Sequence, residues 1–587
     1  MKRLLMTGLL IFGAILSGRT AMAKKIDKEA LANKIKTLAG LDAEERSELL
    51  GLLSERKKYG LVWEEKPEDV EEVMREQLPV LAEVKERAIV ASAPSAPNHI
   101  LIEGDNLHAL TCLTYTHSNK VDVIYIDPPY NTGNKDFVYN DRFVDKEDAF
   151  RHSKWLSFME KRLRIAKGLL SDKGVIFISI DDNEFANLKL LCDEIFGERN
   201  CLATVVQKSR DSISGDLLFS PNHNYLLVYA KKQECVFNER DIFRIPVVVD
   251  ESKFKNPDND PRGPWKLNPV DGPGGARKGN PYYEFLGITG YYRYSKEMMQ
   301  KYYDDGLIVK RRNSLGKKYF LSQAKAKKGV PPTTWWDDAG TTTKGTQLLQ
   351  SIVPESDFNN PKPIELIERC LVLRHNDACV LDFFAGSGTT LHAVMKLNAE
   401  DSGKRKCILV TNNENEICEK VTYERNRRVI QGYTNAKGEA VPGLQDNSLR
   451  YYKTEFVPRR PSPRNARALM AASVDLLCVK NDLYDEVPRF FGKKLKKSAG
   501  RYFDDGRGRR MLVLFDETTV PSVAETIRGA SFKGKVKIYV FAHGDYAYNE
   551  EFEEVADKVE LCALPAAIRN AYRRVIGKYR PQEEDAK

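Results

Sequence analysis

Two short stretches of the 587-residue chain carry residue types that can do chemistry. In VDVIYIDPPYNTG (121–133) an apolar run stops at Asp127, and Pro128, Pro129 and Tyr130 follow at once. Proline fixes φ and removes an N–H donor, so the carboxylate sits on a stiff turn. Taken as a tetrapeptide alone, DPPY also reads as a strand-end turn with an aspartate cap. The second stretch, LDFFAGSGTTLHAVMKL (381–397), reads as a buried strand, a glycine-rich turn and a helix. Gly386 and Gly388 let the backbone bend sharply and let a ligand approach the main chain. The chain has no GKS or GKT, so it is not expected to hydrolyse ATP through a phosphate loop. No triad spacing or metal-ligand cluster calls for a second active site.

The elements around these stretches must bring them together. HILIEGD (99–105), VDVIYID and GVIFISID (174–181) are short apolar runs that each end at an acid. Helical segments lie between them, such as FRHSKWLSFMEKRLRIAKGLL (150–170). Buried strands alternating with helices predict an α/β fold with a parallel sheet covered on both faces. Residues 201–208 and 223–231 predict a hairpin at the sheet edge. ACVLDFF (378–384) and KCILVTN (406–412) predict two more strands. In open α/β sheets ligands bind beyond the C-terminal ends of the strands. DPPY and FAGSG are both expected there.

Between the two halves the texture breaks. Residues 253–328 hold 17 Lys or Arg against 7 Asp or Glu, with 12 interleaved aromatics, so this window predicts an inserted basic domain. The expected organisation is a sheet domain of 96–239 plus 355–445, interrupted by an insertion at 240–354. A helical N-terminal region at 22–95 precedes it, serving as a packing or dimerisation arm. A small α/β domain at 446–587 follows, with RRMLVLFDE, KVKIYVFA and VELCALP as strands and VPSVAETIRGA as a helix.

Ten cysteines without a CxxC pair predict reduced thiols in a cytoplasmic protein. The start, MKRLLMTGLLIFGAILSGRTAMA, has the pattern of a secretion signal, but MAKKIDKEALANKI after it looks like an ordinary cytosolic start. Residues 1–21 are therefore read as a start placed too far upstream, with export as the other reading. No membrane-spanning helix is expected. The formal charge of +9 is a mild excess whose placement matters more than its size.

Together, DPPY and FxGxG (Phe384, Gly386, Gly388) resemble the amino-group DNA methyltransferases that use S-adenosylmethionine. The order, DPPY first, matches the permuted β class. KYGLVWEEKPE (58–68), NPDNDPRGPW (256–265), YYRYSKEMMQKYYDDGLIV (291–309) and SLRYYKTEFV (448–457) are similar to segments of the modification (Mod) subunit of type III restriction–modification systems. The resemblance runs from about residue 45 to the C-terminus and is weakest after 460.

The resemblance implies a Rossmann-like, S-adenosylmethionine-dependent sheet with an inserted target-recognition domain. It implies methylation of adenine N6 in duplex DNA by base flipping. Asp127 and the Pro128 carbonyl would accept the two amino hydrogens, Pro129 would stiffen the turn, and Tyr130 would stack on the base. Asp382, Phe384, Gly386, Gly388 and Thr389 would lie beside the methionine part of the cofactor, with Lys362 marking a segment on the same side. Asp105 matches an acid near the cofactor's adenine ring and also reads as a helix cap. The strand that usually ends in a ribose-binding acid here ends in ILVTNNENE (408–416), which offers Thr411, Asn412 and Asn413 before Glu414. The DNA contacts are expected from the insertion: Arg262, Arg277, Lys278, Lys310, Arg311, Arg312, Lys317 and Lys318. For KKYFLSQAKAKK (317–328) a solvated face competes with phosphate contact, and NPDNDPRGPW reads equally as a structural clasp. The resemblance also implies a homodimer and a helicase–nuclease restriction partner. A solitary regulatory methyltransferase and a catalytically silent specificity subunit are the rival readings.

Overall fold

The computed structural model describes residues 63–564, apart from 135, 141, 216, 217, 248, 327, 328 and 542–547, together with residue 568. The expectations for 1–21, for residues 22–62 of the helical N-terminal region and for residues 565–567 and 569–587 of the C-terminal domain lie outside the described residues.

A ten-stranded mixed sheet dominates. Its strands in chain order are β1 (Gln77–Glu83), β2 (Asn98–Glu103), β3 (Val121–Ile126), β4 (Leu170–Ile180), β5 (Cys201–Lys208), β6 (His223–Ala230), β7 (Trp335–Trp336), β8 (Cys379–Asp382), β9 (Lys406–Thr411) and β10 (Ser448–Pro458). The spatial order is β1-β10-β2-β9-β8-β3-β4-β6-β5-β7. The six strands from β10 to β4 run parallel. Their apolar runs are buried on both faces, as a doubly covered parallel sheet requires. β6 and β5 form the expected edge hairpin, and β7 adds a short parallel pairing outside it.

Two expected boundaries move. The sequence pattern puts β1 within a helical N-terminal region, but among the described residues of that region (63–95) the α-helix is Asp69–Glu76 alone. The next residues, QLPVLAE, form the outermost strand, antiparallel to β10. Pro79 breaks helical continuation and is tolerated because β1 has a free edge. β10, which the sequence pattern puts in the C-terminal domain, instead fills the sheet between β1 and β2. Its pairing with β2 spans most of the chain, so no local pattern reveals it. The smaller C-terminal sheet (500–504, 510–514, 536–540, 559–561) packs the helix Val520–Gly529 over its own core.

The insertion carries a three-stranded sheet of Trp265–Pro269, Ile308–Lys310 and Leu315–Phe320 beside the hairpin Tyr282–Phe285 and Ile288–Tyr291. Val270, Phe285, Tyr292, Met299, Ile308 and Leu315 give it a separate apolar core. Among the described residues, no helix is long and apolar enough to cross a membrane, and no group of side chains is arranged to hold a metal ion. None of the ten cysteines is in a disulfide.

Candidate active site

The loops that follow β2, β9, β8, β3 and β4 leave the same end of the sheet, because these strands are parallel neighbours. β8 and β3 adjoin directly, with Val380 opposite Val123 and Leu381 opposite Ile124. DPPY and the glycine-rich turn therefore begin on adjacent strands. Asp105, Asn412, Phe384, Asp127 and Asp181, one from each loop in sheet order, line a single cleft of about 1690 Å³. Sequence reading misses Asp181 as a site residue, although GVIFISID ends at it as the other runs end at their acids.

The DPPY turn is held from several directions. Tyr130 donates its hydroxyl hydrogen to Asp127 Oδ1 at 2.9 Å and accepts from Lys362 Nζ at 2.8 Å. Lys362 Nζ also lies 2.8 Å from Asp127 Oδ2. Each carboxylate oxygen keeps a further lone pair for an incoming donor. Burial and the adjacent Asp127 charge push the Tyr130 phenol well above its ordinary range, so it stays protonated. Pro129 accepts the Trp155 indole N–H at 2.7 Å. The Pro128 carbonyl accepts no hydrogen bond from any described residue. Asn131 adopts φ 57° in the left-handed region and donates to buried Glu184 at 2.5 Å. Glu184 also meets His152 Nδ1 and accepts from Asn187, both at 2.7 Å. Sequence reading misses this support; the asparagine directly after DPPY is its only local sign.

Opposite lies the glycine-rich turn. Gly386 has φ 48° and Gly388 φ 72°. A Cβ at Gly388 would collide with Asn426 Nδ2, and one at Gly386 would sit 3.1 Å from the Phe358 ring. The positive φ favours glycine at both positions, and at Gly388 the space demands it as well. Asp382 does not line the cleft. It is buried beneath the turn, where it accepts from Phe384 N at 3.0 Å and from Thr390 Oγ1 at 2.6 Å. Burial raises its pKa to about 7. Thr389 is also turned inward: it accepts from Arg425 at 2.7 Å and reaches the Lys362 carbonyl at 3.4 Å. Arg425 is fully buried with no carboxylate partner among the described residues, and burial lowers its pKa to about 9. Asp105 is both cap and cleft residue: it accepts from Leu107 N at 2.7 Å and faces Arg162 at 3.5 Å.

The insertion's basic residues divide. Arg277, Lys278, Lys310, Arg311 and Arg312 are exposed. Lys317 places its ammonium 3.2 Å from the centre of the Tyr302 ring. Lys318 is not available for phosphate: it is buried and paired with Asp258 at 2.5 Å and Asp260 at 2.6 Å. Arg262 clamps Asp260 through two bonds of 2.8 Å and donates to the Asp305 carbonyl. NPDNDPRGPW is thus a clasp, because its two acids neutralise two of the cations that the sequence pattern assigns to DNA.

A family model described as DNA methylase matches residues 121–425, which is more than half of the chain. The chain belongs to the DNA methylase family. This methylase is 36% identical over 359 residues to the type III restriction-modification enzyme StyLTI Mod subunit of Salmonella typhimurium, covering 56% of this chain and 55% of that one. It is 33% identical over 383 residues to the EcoPI Mod subunit of Escherichia phage P1, covering 54% and 58%. It is 32% identical over 382 residues to the type II methyltransferase M.KpnI of Klebsiella pneumoniae, covering 60% and 90%. The methylase thus spans just over half the length of the two type III relatives.

Proposed function

We propose that the methylase transfers a methyl group from S-adenosylmethionine to adenine N6 in duplex DNA, as the modification subunit of a type III restriction–modification system. The observation that carries this reading is the shared rim: an acceptor turn and a glycine-rich turn on adjacent parallel strands, facing one cleft. The cleft's chemistry suits the cofactor. Phe158, Phe384 and Ile417 offer apolar surface, Asn412 and Glu414 offer acceptors for hydroxyls, and Asp105 offers a carboxylate. When bound, S-adenosylmethionine supplies an electrophilic methyl group.

The chain's own residues prepare the nucleophile. The lone pair of adenine N6 is delocalised into the ring, so the amino group is a poor nucleophile. Asp127 accepts one amino hydrogen and the Pro128 carbonyl the other. The two acceptors draw the nitrogen toward tetrahedral geometry and aim its lone pair at the wall made by the glycine-rich turn. The prolines and the Trp155 bond keep both acceptors still, so no reorganisation is needed as the reaction proceeds. The amino group is paired in duplex DNA, so the base must first be extruded. An aspartate in DPPY favours adenine over cytosine as target. The similarity to Mod subunits of restriction-modification enzymes supports a restriction partner, and a homodimer is proposed as part of the same reading.

The extensive coverage of M.KpnI supports a second reading, a methyltransferase that works without a helicase–nuclease partner. Transfer of labelled methyl to duplex DNA, compared between the native chain and Asp127→Ala, tests the activity. Label in adenine with the native chain and none with the variant is expected. Equal signals from the two would reject it. Co-purification with a neighbouring restriction subunit distinguishes the two system types.

A further inference from the structure

Among the described residues of the connection between β5 and β6 (209–222), three apolar side chains stand in solvent. Ile213 is 83% exposed, Leu218 101% and Phe219 90%. They are the three most exposed large apolar side chains among the described residues. Isolated exposed apolar residues are ordinary, but three on one short connection make a patch that calls for a binding partner.

The stem of this connection belongs to the catalytic cleft. Ser209, Arg210, Ser212, Pro221, His223 and Asn224 line the cavity that contains Asp127. Asn224 reaches the Tyr130 hydroxyl at 3.4 Å. The stem is also fixed. Arg210 Nε donates to the Pro221 carbonyl at 2.7 Å, Ser214 N donates to Ser220 Oγ at 2.8 Å, and the Ser209 carbonyl accepts from Thr342 N at 2.9 Å. A tied stem at the mouth of the base pocket therefore carries an apolar tip in solvent.

Extruding a base leaves a gap in the stack, and proteins that distort DNA fill such gaps with Phe, Leu, Ile or Met. We infer that Leu218 and Phe219 are the wedge that enters the DNA stack as the target adenine leaves it. Ile213 packs beside them against the neighbouring bases. This rests on the DNA adenine methyltransferase reading. The wedge stabilises the opened duplex and takes no part in methyl transfer, so it matters only where a base pair must be broken.

The test compares the full chain with Leu218→Ala/Phe219→Ala on two duplexes that carry the recognition sequence found by methylation sequencing. In one duplex the target adenine is paired; in the other it faces an abasic site. The variant should methylate the paired duplex about tenfold or more slowly and the abasic duplex at nearly the native rate, since extrusion there is already cheap. With 2-aminopurine in place of the target adenine, the fluorescence rise on binding should be large for the native chain and small for the variant. Phe219→Trp should retain the rise. Equal rates for variant and native chain on both duplexes would overturn the wedge and leave the methyltransferase reading standing. An equal loss on both duplexes, or a change confined to self-association, would also overturn it. Absence of methylation by the native chain would overturn both.

Discussion

Lys362 and Asp127 form an ion pair of 2.8 Å across the cleft, one from the segment before β8 and the other from the end of β3. The Lys362 carbonyl is held by Thr389 of the glycine-rich turn, while its ammonium group bonds both Asp127 and Tyr130. One residue thus ties the glycine-rich turn to the DPPY turn. Lys362→Met should lower kcat by about ten- to a hundredfold, the scale of a small misplacement of a reacting group. Lys362→Arg should recover part of it. Steady-state methylation with varied S-adenosylmethionine measures this, and a rise in KM alone would contradict the bridging role.

Glu184 acts through Asn131. Because the carboxylate accepts from an asparagine held at positive φ, Glu184→Ala removes the anchor of the DPPY exit. Catalysis should fall by about tenfold or more while S-adenosylmethionine affinity stays within about twofold. Calorimetric binding alongside turnover separates the two. Glu184→Gln, which keeps an acceptor for Asn131, should be milder.

The basic residues of the insertion should sort by exposure. Substituting Arg311 and Arg312 together should weaken DNA binding and flatten its salt dependence by about 0.9 for each phosphate no longer neutralised. Lys318→Met should leave the salt slope unchanged and lower thermal stability, because Asp258 and Asp260 lose their buried partner. Fluorescence anisotropy across a salt series reads the first effect, and scanning calorimetry the second.

Asp382 sets a pH signature. Its folded pKa is raised to about 7 from the ordinary carboxylate value of 3.8, mainly by burial, so the folded chain holds a proton there that the unfolded chain has released. Between about pH 4 and 7 this group makes stability fall as pH rises, and the effect levels off above 7. Asp382→Asn should lose that slope. Unfolding midpoints of native chain and variant at pH 5, 6, 7 and 8 should therefore differ progressively, the variant gaining relative to the native chain.

The site was legible because its two motifs are local: a strand, a stiff or glycine-rich turn, and the rule that parallel strands gather their C-terminal loops. The order DPPY before FAGSG does not obscure their adjacency, since β3 and β8 pair whatever lies between them. Less legible was everything that depends on remote partners. The inward turn of Asp382 and Thr389 depends on Thr390 and Arg425 folding beneath them. Lys318 looks like one more cation in a basic run, and only the folded position of Asp258 and Asp260 shows it neutralised. β10 escapes a local reading because its partners β1 and β2 lie more than three hundred residues earlier.

At the centre of the proposed mechanism, Asp127 and the glycine-rich turn serve one methyl transfer to adenine N6. Single-molecule methylation sequencing of DNA from cells expressing the native chain or Asp127→Ala addresses it most directly. N6-methyladenine at a single short motif with the native chain, and at background with the variant, is the predicted result. Methylation on cytosine N4, or the same adenine mark with both chains, would contradict it.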